Sequence, residues 1–254
     1  MSHEIRTPMN AILGMSQLLA KTALSQPQAS YLHAIESSAE NLLVIMNDIL
    51  DLSKIEAGRI AIERIGFSPA RICVQVEKTL RFKAEEKGLS FETHVGPGVP
   101  AVLLGDPYRI TQILLNLAGN AVKFTERGTV NVRCTLRKVP SSTGNAEVDF
   151  EVPDTSIGIE AEYLAQVFDD FSQEDASVTR QYGGTGLGIS KKLVEILGGK
   201  LKIKSQKNRG TTSHFCLRLP VGAEQDVPQK EAVNLSGLQH ALRGKRVLAK
   251  HERP

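Results

Sequence analysis

The chain contains no tryptophan and only three cysteines, Cys73, Cys134 and Cys216, in 254 residues. Far apart in sequence, they form no Cys-x-x-Cys pair and no Cys/His cluster, which excludes a zinc site of familiar spacing and reads as thiols kept in a reducing compartment. No apolar run approaches the ~18 residues of a membrane-crossing helix, and no signal peptide is recognisable. Neither sign of charge dominates, since 31 Lys and Arg against 28 Asp and Glu leave a net charge of +3. That balance argues against charge-driven nucleic-acid binding but leaves room for a local phosphate site. There are no internal repeats. With 41% hydrophobic and 23% charged residues, the composition is that of an ordinary globular protein of one large or two modest domains.

The densest chemistry stands at the very start, in His3-Glu4-Ile5-Arg6-Thr7-Pro8. Ile5, Met9, Ile12, Met15 and Leu19 form a helical stripe that predicts a helix over residues 3–23. An acid beside His3 can hold the imidazole in one tautomer and make its other nitrogen a better nucleophile, a role open to Glu4. Thr7, four residues after His3, shares its face and can orient water toward a group carried there. Pro8 has no N–H and clashes with the Glu4 carbonyl, so a bend is expected just after the histidine. Such a run also arises by chance on a surface helix, and its meaning depends on what the rest of the chain supplies. Because the chain opens on the motif, with no lead-in turn, it is expected to be a piece of something longer.

Ser25-Gln26-Pro27 suits the start of a second helix. Leu32, Ile35, Ala39, Leu42, Met46 and Ile49 then recur at alternating spacings of three and four, a heptad-like seam ending near Gly58. A two-helix hairpin cannot bury that seam alone. A dimer forming a four-helix bundle is the economical solution, and packing on the chain's own C-terminal part is the alternative. From Gly66 the pattern changes to helix (70–87), strand (90–95), helix (106–125), strands (129–138 and 146–152), a Gly-rich region (155–186), helix (187–197) and strands (200–205 and 212–219). This predicts a mixed α/β layer domain. The expected division is a helical hairpin over 1–65, an α/β domain over 66–221, and a polar linker with a possible first strand of another domain over 222–254.

Within helix 106–125, Asn116 and Asn120 are one turn apart on one face and Lys123 follows. Two amide oxygens in line suit Mg²⁺, which keeps waters and shares phosphate oxygens. Such pairs also serve merely as caps or loop anchors. Asp154, at a strand end, can accept the exocyclic amine of adenine. Gly183-Gly184-Thr185-Gly186-Leu187-Gly188 opens a helix and offers backbone N–H groups to an anion. It is neither a Walker A loop nor a dinucleotide-binding fingerprint.

In this order the motifs resemble those of the histidine kinases of two-component signalling. His3 to Pro8 is similar to their H box, Asn116 to Lys123 to the N box, and Asp154 to Gly158 to the first glycine box. Phe168 to Gln173 resembles the F box, Gly184 to Gly188 the second glycine box, and Gly210-Thr211-Thr212 the third. The resemblance covers residues 1 to about 221. It implies an antiparallel hairpin forming a dimeric four-helix bundle, followed by an α/β ATP-binding sandwich of the type shared with Hsp90, gyrase and MutL. It implies His3 as phosphoacceptor, Glu4 as its base, and Thr7 as a positioner of water. Asn120, assisted by Asn116, would hold Mg²⁺; Lys123 would meet phosphate, and Phe124 would line the base pocket. Asp154 would read adenine within the Asp154–Gly158 turn. Gln173, Gly184, Thr185, Gly186, Leu187, Gly188 and Thr211 would surround the ATP, with 160–186 as a lid. The implied partners are a second copy, through the hairpin, and a response regulator receiver domain. The implied setting is the cytoplasmic portion of a larger sensor, itself able to be membrane-anchored. The run Gly244 to Pro254 resembles the first strand of a receiver, with His251-Glu252 where receivers carry an acidic pair.

Three positions depart from the pattern. Ser156 replaces a glycine and is expected to crowd the adenine or require an unfavourable φ, weakening nucleotide binding roughly 5- to 150-fold. Pro153 removes a donor at the strand end, and Asn208 replaces the first glycine of the third box, where it tolerates a left-handed conformation. These changes make a catalytically weak pseudokinase, acting as a dimerising module, the alternative to an active kinase. A clamp-type ATPase is a third reading, disfavoured by the His3 helix.

Overall fold

The computed structural model describes residues 2–138, 144–164 and 186–228. Its first two elements are α1 (Ser2–Leu19) and α2 (Gln26–Glu56), joined by a short turn and packed on each other. Helix α1 continues through Pro8. It stops at Leu19, short of the predicted end, because the Thr22 N–H and hydroxyl donate to the Leu19 carbonyl at 3.0 and 2.8 Å and close the last turn. Pro27 lies in the first turn of α2, whose start is fastened by the Ser25 N–H donating to the Gln28 side chain at 2.9 Å. Gly58, with φ +62°, follows the end of α2.

The seam splits in two. Met9 and Ser16 on α1 and Leu32, Ala39 and Met46 on α2, each set spaced by seven, are buried. Ile5, Ile12 and Leu19 and, on α2, Ile35, Leu42 and Ile49, again spaced by seven, are exposed. One layer is therefore satisfied within the chain and the other is left open.

The remaining elements form a two-layer sandwich. In order they are β1 (Ile65–Phe67), α3 (Pro69–Glu86), β2 (Ser90–Val95), β3 (Leu103–Gly105), α4 (Pro107–Phe124), β4 (Thr129–Lys138), β5 (Asn145–Pro153), α5 (Ala161–Leu164), α6 (Gly186–Ile196), β6 (Lys200–Gln206), β7 (Gly210–Pro220) and a 3₁₀ turn at Glu224–Asp226. The five-stranded sheet has the order β2-β4-β5-β7-β6, with β2 parallel to β4 and every other pair antiparallel. Strands β1 and β3 form a separate antiparallel ribbon. The ribbon escaped the sequence reading because three residues show no periodicity. The expected α + α/β architecture is otherwise what the chain adopts.

Strict alternation sets the layers. Ala146, Val148, Phe150 and Val152 of β5 are buried, and Phe150 stacks on Phe215 of β7 with ring centroids 5.0 Å apart. Val76 of α3, Ile110, Ile113 and Leu114 of α4, and Ile189 and Leu193 of α6 belong to the same core. Ile55 and Ile60, at the end of the hairpin and just beyond, pack against it. Cys73 and Cys134, distant in sequence, are both buried in this core; all three cysteines are free.

The other sheet face is polar. Asp149 joins the Arg137 guanidinium and the His214 ring, each at 2.9 Å. Burial tends to raise its pKa, but hydrogen bonds from His214, Cys216 and Arg137 outweigh that and hold the carboxyl below its usual range. Burial and the same carboxylate push the Cys216 thiol up to about 11. The edge strand β6 exposes Lys200, Lys202 and Lys204, which disfavours pairing with another sheet. Among the described residues, no helix is long and apolar enough to cross a membrane.

Candidate nucleotide and phosphotransfer site

Helix α4 is anchored at both ends. Asp106 caps its start by accepting from the Arg109 N–H at 3.0 Å, and Pro107 fills the first turn. At the other end the Lys87 ammonium donates to the carbonyls of Val122 and Lys123 at 2.9 and 2.7 Å, where a cation meets the negative end of the helix. This rod carries Asn116, Asn120 and Lys123.

The Asn116 amide donates to the Ser190 hydroxyl of α6 at 2.9 Å. A Cβ on Gly186, the first residue of α6, would run into the Asn116 side chain, so the two helices meet there without room for a larger residue. The structure thus brings Asn116 together with Gly186, which opens the turn carrying Leu187 and Gly188. Asn120 is half-buried, one turn further on, with no side-chain hydrogen bond among the described residues. Lys123 is exposed, its ammonium 5.0 Å from the centroid of the half-buried Phe124 ring. No cluster of three or more His, Cys, Asp and Glu among the described residues could hold a metal. The amide oxygens of Asn120 and Asn116 fit Mg²⁺, a cation that takes a few protein oxygens and completes its shell with water and phosphate.

Asp154 closes the other side of the sheet's end. Its Oδ1 accepts from the N–H groups of Ser156 and Thr211 at 2.9 and 3.0 Å, and its own N–H donates to the Thr211 carbonyl at 2.8 Å. One carboxylate oxygen is thereby locked; the other makes no hydrogen bond to a described residue. The loop after Asp154 is packed on the β6–β7 turn. Gly158 has φ +65°, and a Cβ on it would strike the Gln206 carbonyl.

The backbone is defined at all three departures. Ser156 does not occupy a left-handed conformation, since Asn208, at φ +62°, is the one non-glycine described residue with positive φ. Instead Ser156 is buried and its hydroxyl accepts from the Gly158 N–H at 3.3 Å, helping to form the turn. Asn208 takes the left-handed role anticipated for it and donates its N–H to the Ile157 carbonyl at 2.7 Å. Pro153 costs little, because bonding resumes at Asp154 and at Thr155, whose N–H reaches the Thr129 carbonyl at 3.2 Å.

Two positioning residues escaped the sequence reading. The Ser205 hydroxyl accepts from the Ile159 N–H at 2.8 Å and lies 2.8 Å from the Thr211 hydroxyl, tying the 154–159 loop to Thr211. Ser190 holds Asn116. Each stands where the apolar pattern of its element continues, after Leu201 and Ile203 in β6 and between Ile189 and Leu193 in α6. A hydroxyl interrupting such a face was the available signal. His3, Glu4 and Thr7 fall within the first two turns of α1, Thr7 being exposed. Gln173, Gly184, Thr185, the F-box segment, most of the expected lid and the receiver-like run lie outside the described residues.

A helical hairpin joined to a nucleotide-binding type of α/β sandwich is the class that fold and site define. Two family models match: the His Kinase A (phospho-acceptor) domain over residues 1–58, and the histidine kinase-, DNA gyrase B- and HSP90-like ATPase over residues 105–222. The signal transduction histidine-protein kinase BarA of Escherichia coli K12 is 42% identical over 221 residues, covering 86% of this chain and 24% of BarA. The sensor protein GacS of Pseudomonas syringae is 42% identical over 244 residues, or 95% of this chain and 27% of that protein. Among solved structures, full-length ShkA in complex with AMPPNP has 33% identity and a TM-score of 0.67, covering 87% of this chain and 45% of ShkA. The chain belongs to the sensor histidine kinases, and it spans about a quarter of the length of the BarA and GacS relatives it matches.

Proposed function

We propose that this chain is the autokinase unit of a sensor kinase, transferring the γ-phosphoryl group of ATP to His3 and then to an aspartate of a response regulator receiver domain. An imidazole nitrogen of His3 attacks the γ-phosphorus, the bond to the β-phosphate oxygen breaks and ADP leaves. Glu4 takes the imidazole proton, and a receiver aspartate later displaces the histidine from phosphorus. Asp154 accepts the adenine amine, and Phe124 lines the base. Lys123 offsets phosphate charge. Gln173, Gly184, Thr185, Gly186, Leu187, Gly188 and Thr211 surround the nucleotide. Asn120 and Asn116 hold Mg²⁺, which when bound neutralises charge on the phosphates. Thr7 orients water when the phosphorylated regulator is dephosphorylated.

The observation that carries this reading is the Asp154 carboxylate, with one oxygen locked by two backbone N–H groups and the other left for an amine donor. The open apolar layer of the hairpin supports dimerisation through a second copy, giving a four-helix bundle. The working setting is the cytoplasmic portion of a larger sensor. Incubation with γ-labelled ATP and Mg²⁺ tests the reading. We expect an acid-labile label that His3→Gln abolishes while nucleotide affinity stays within twofold. A label that survives His3→Gln would sink it.

A further inference from the structure

Polar side chains tie the hairpin to the sandwich at their junction. The Asp51 carboxylate of α2 reaches across to the start of α4, where one oxygen accepts from the Gln112 amide at 2.7 Å and from the Arg109 guanidinium at 3.3 Å. Arg109 also donates to the Gln112 amide oxygen at 2.9 Å, closing a ring of three side chains. The ring is mostly shielded, with side-chain exposures of 22% for Arg109 and 17% for Asp51. A second tie adjoins it: Asp106, the cap of α4, accepts from the Glu63 N–H at 3.1 Å, so the first turn of α4 holds the connecting segment as well as α2.

We propose that Asp51 is a positioning residue that sets the nucleotide-binding helix on the hairpin in the arrangement used for phosphoryl transfer to His3. Arg109, Gln112, Asn116, Asn120 and Lys123 succeed one another at spacings of three or four and therefore lie along one face of α4. At 1.5 Å per residue, Asn116 is about 6 Å and Asn120 about 12 Å along the rod from Gln112. A helix is stiff over that length, so a displacement at the Asp51 ring is carried to the nucleotide residues. Helix α6, with Gly186 at its start, also lies against α2. In-line transfer needs reacting atoms about 3–3.5 Å apart, and a misplacement of about 1 Å costs on the order of a hundredfold in rate. A carboxylate shared by two donors sets both distance and direction, which the apolar contacts of Ile55 and Ile60 alone do not.

This proposal rests on the phosphotransfer reading, so its test has an arm independent of activity. The whole chain is compared with Asp51→Ala, Asp51→Asn and the exchanged pair Asp51→Arg with Arg109→Asp. For Asp51→Ala we expect amide exchange over residues 57–64 and the first turn of α4 to quicken three- to tenfold, with β4, β5 and β7 unchanged. Affinity for a non-hydrolysable ATP analogue should stay within twofold, and labelling of His3 at saturating ATP should slow at least tenfold. Asp51→Asn keeps an acceptor oxygen and should retain most of the rate, and the exchanged pair should recover part of it. Unaltered exchange, or an unaltered or faster labelling rate despite quickened exchange, would overturn the proposal. If the unsubstituted chain carries no label on His3, the phosphotransfer reading fails, and the positioning role fails with it. Quickened exchange would then show only that the ring is a structural tie.

Discussion

The hairpin and the sandwich are built from similar apolar residues and use them oppositely. In the sandwich Phe150 and Phe215 are fully buried, with helices and sheet of one chain closing over them. In the hairpin Ile35, Leu42 and Ile49 are 50%, 48% and 52% exposed. The sandwich thus buries its described core within the chain, with Ile55 and Ile60 packed on it, whereas the hairpin covers one heptad layer and leaves another exposed. The same hydrophobic effect closes one region over its apolar residues and, in the proposed dimer, would bring the open layer of the other against a second copy.

The comparison breaks hardest in the sandwich core. Phe150→Ala should cost about 3–5 kcal/mol, independent of protein concentration, as read by denaturant unfolding. In the hairpin, Ile35→Glu with Leu42→Glu should raise the dimer dissociation constant at least a hundredfold in sedimentation experiments while the sandwich unfolds as before. A monomeric starting chain would defeat that expectation. Within the site, Gly158→Ala places a Cβ against the Gln206 carbonyl at a left-handed φ, and calorimetry should show nucleotide affinity falling roughly 5- to 150-fold.

The smallest effect lies on the polar sheet face. Asp149 has a depressed folded-state pKa, so its stabilisation is present above the unfolded value of about 3.9 and is lost as pH falls through the lower folded value. Asp149→Asn should therefore cost about 1 kcal/mol near neutral pH, since half-exposed Arg137 is screened by solvent. The cost should vanish toward the acid end of a stability–pH series.

Much of this was legible in the sequence. The period of seven announced the hairpin, and the strands expected over 146–152 and 212–219 are β5 and β7. Asn116 and Asn120 were readable because i and i+4 share a helix face whatever the surroundings. At Ser156 the family pattern did not reveal whether the position needs a positive φ; here the serine takes an ordinary backbone and its hydroxyl accepts from the Gly158 N–H. Ser190 and Ser205 were passed over because a hydroxyl among apolar residues acquires meaning only from the group opposite it.

The sequence by itself determined the two kinds of element and the order of the motifs, because periodicity and local chemistry are properties of neighbouring residues. The tertiary structure alone decided which half of the hairpin seam is covered, which oxygen of Asp154 is occupied, and that Asp51 meets Arg109 and Gln112. Those are long-range contacts: residues 51 and 109 become neighbours only when the hairpin folds back on the sandwich, and no local pattern encodes that meeting.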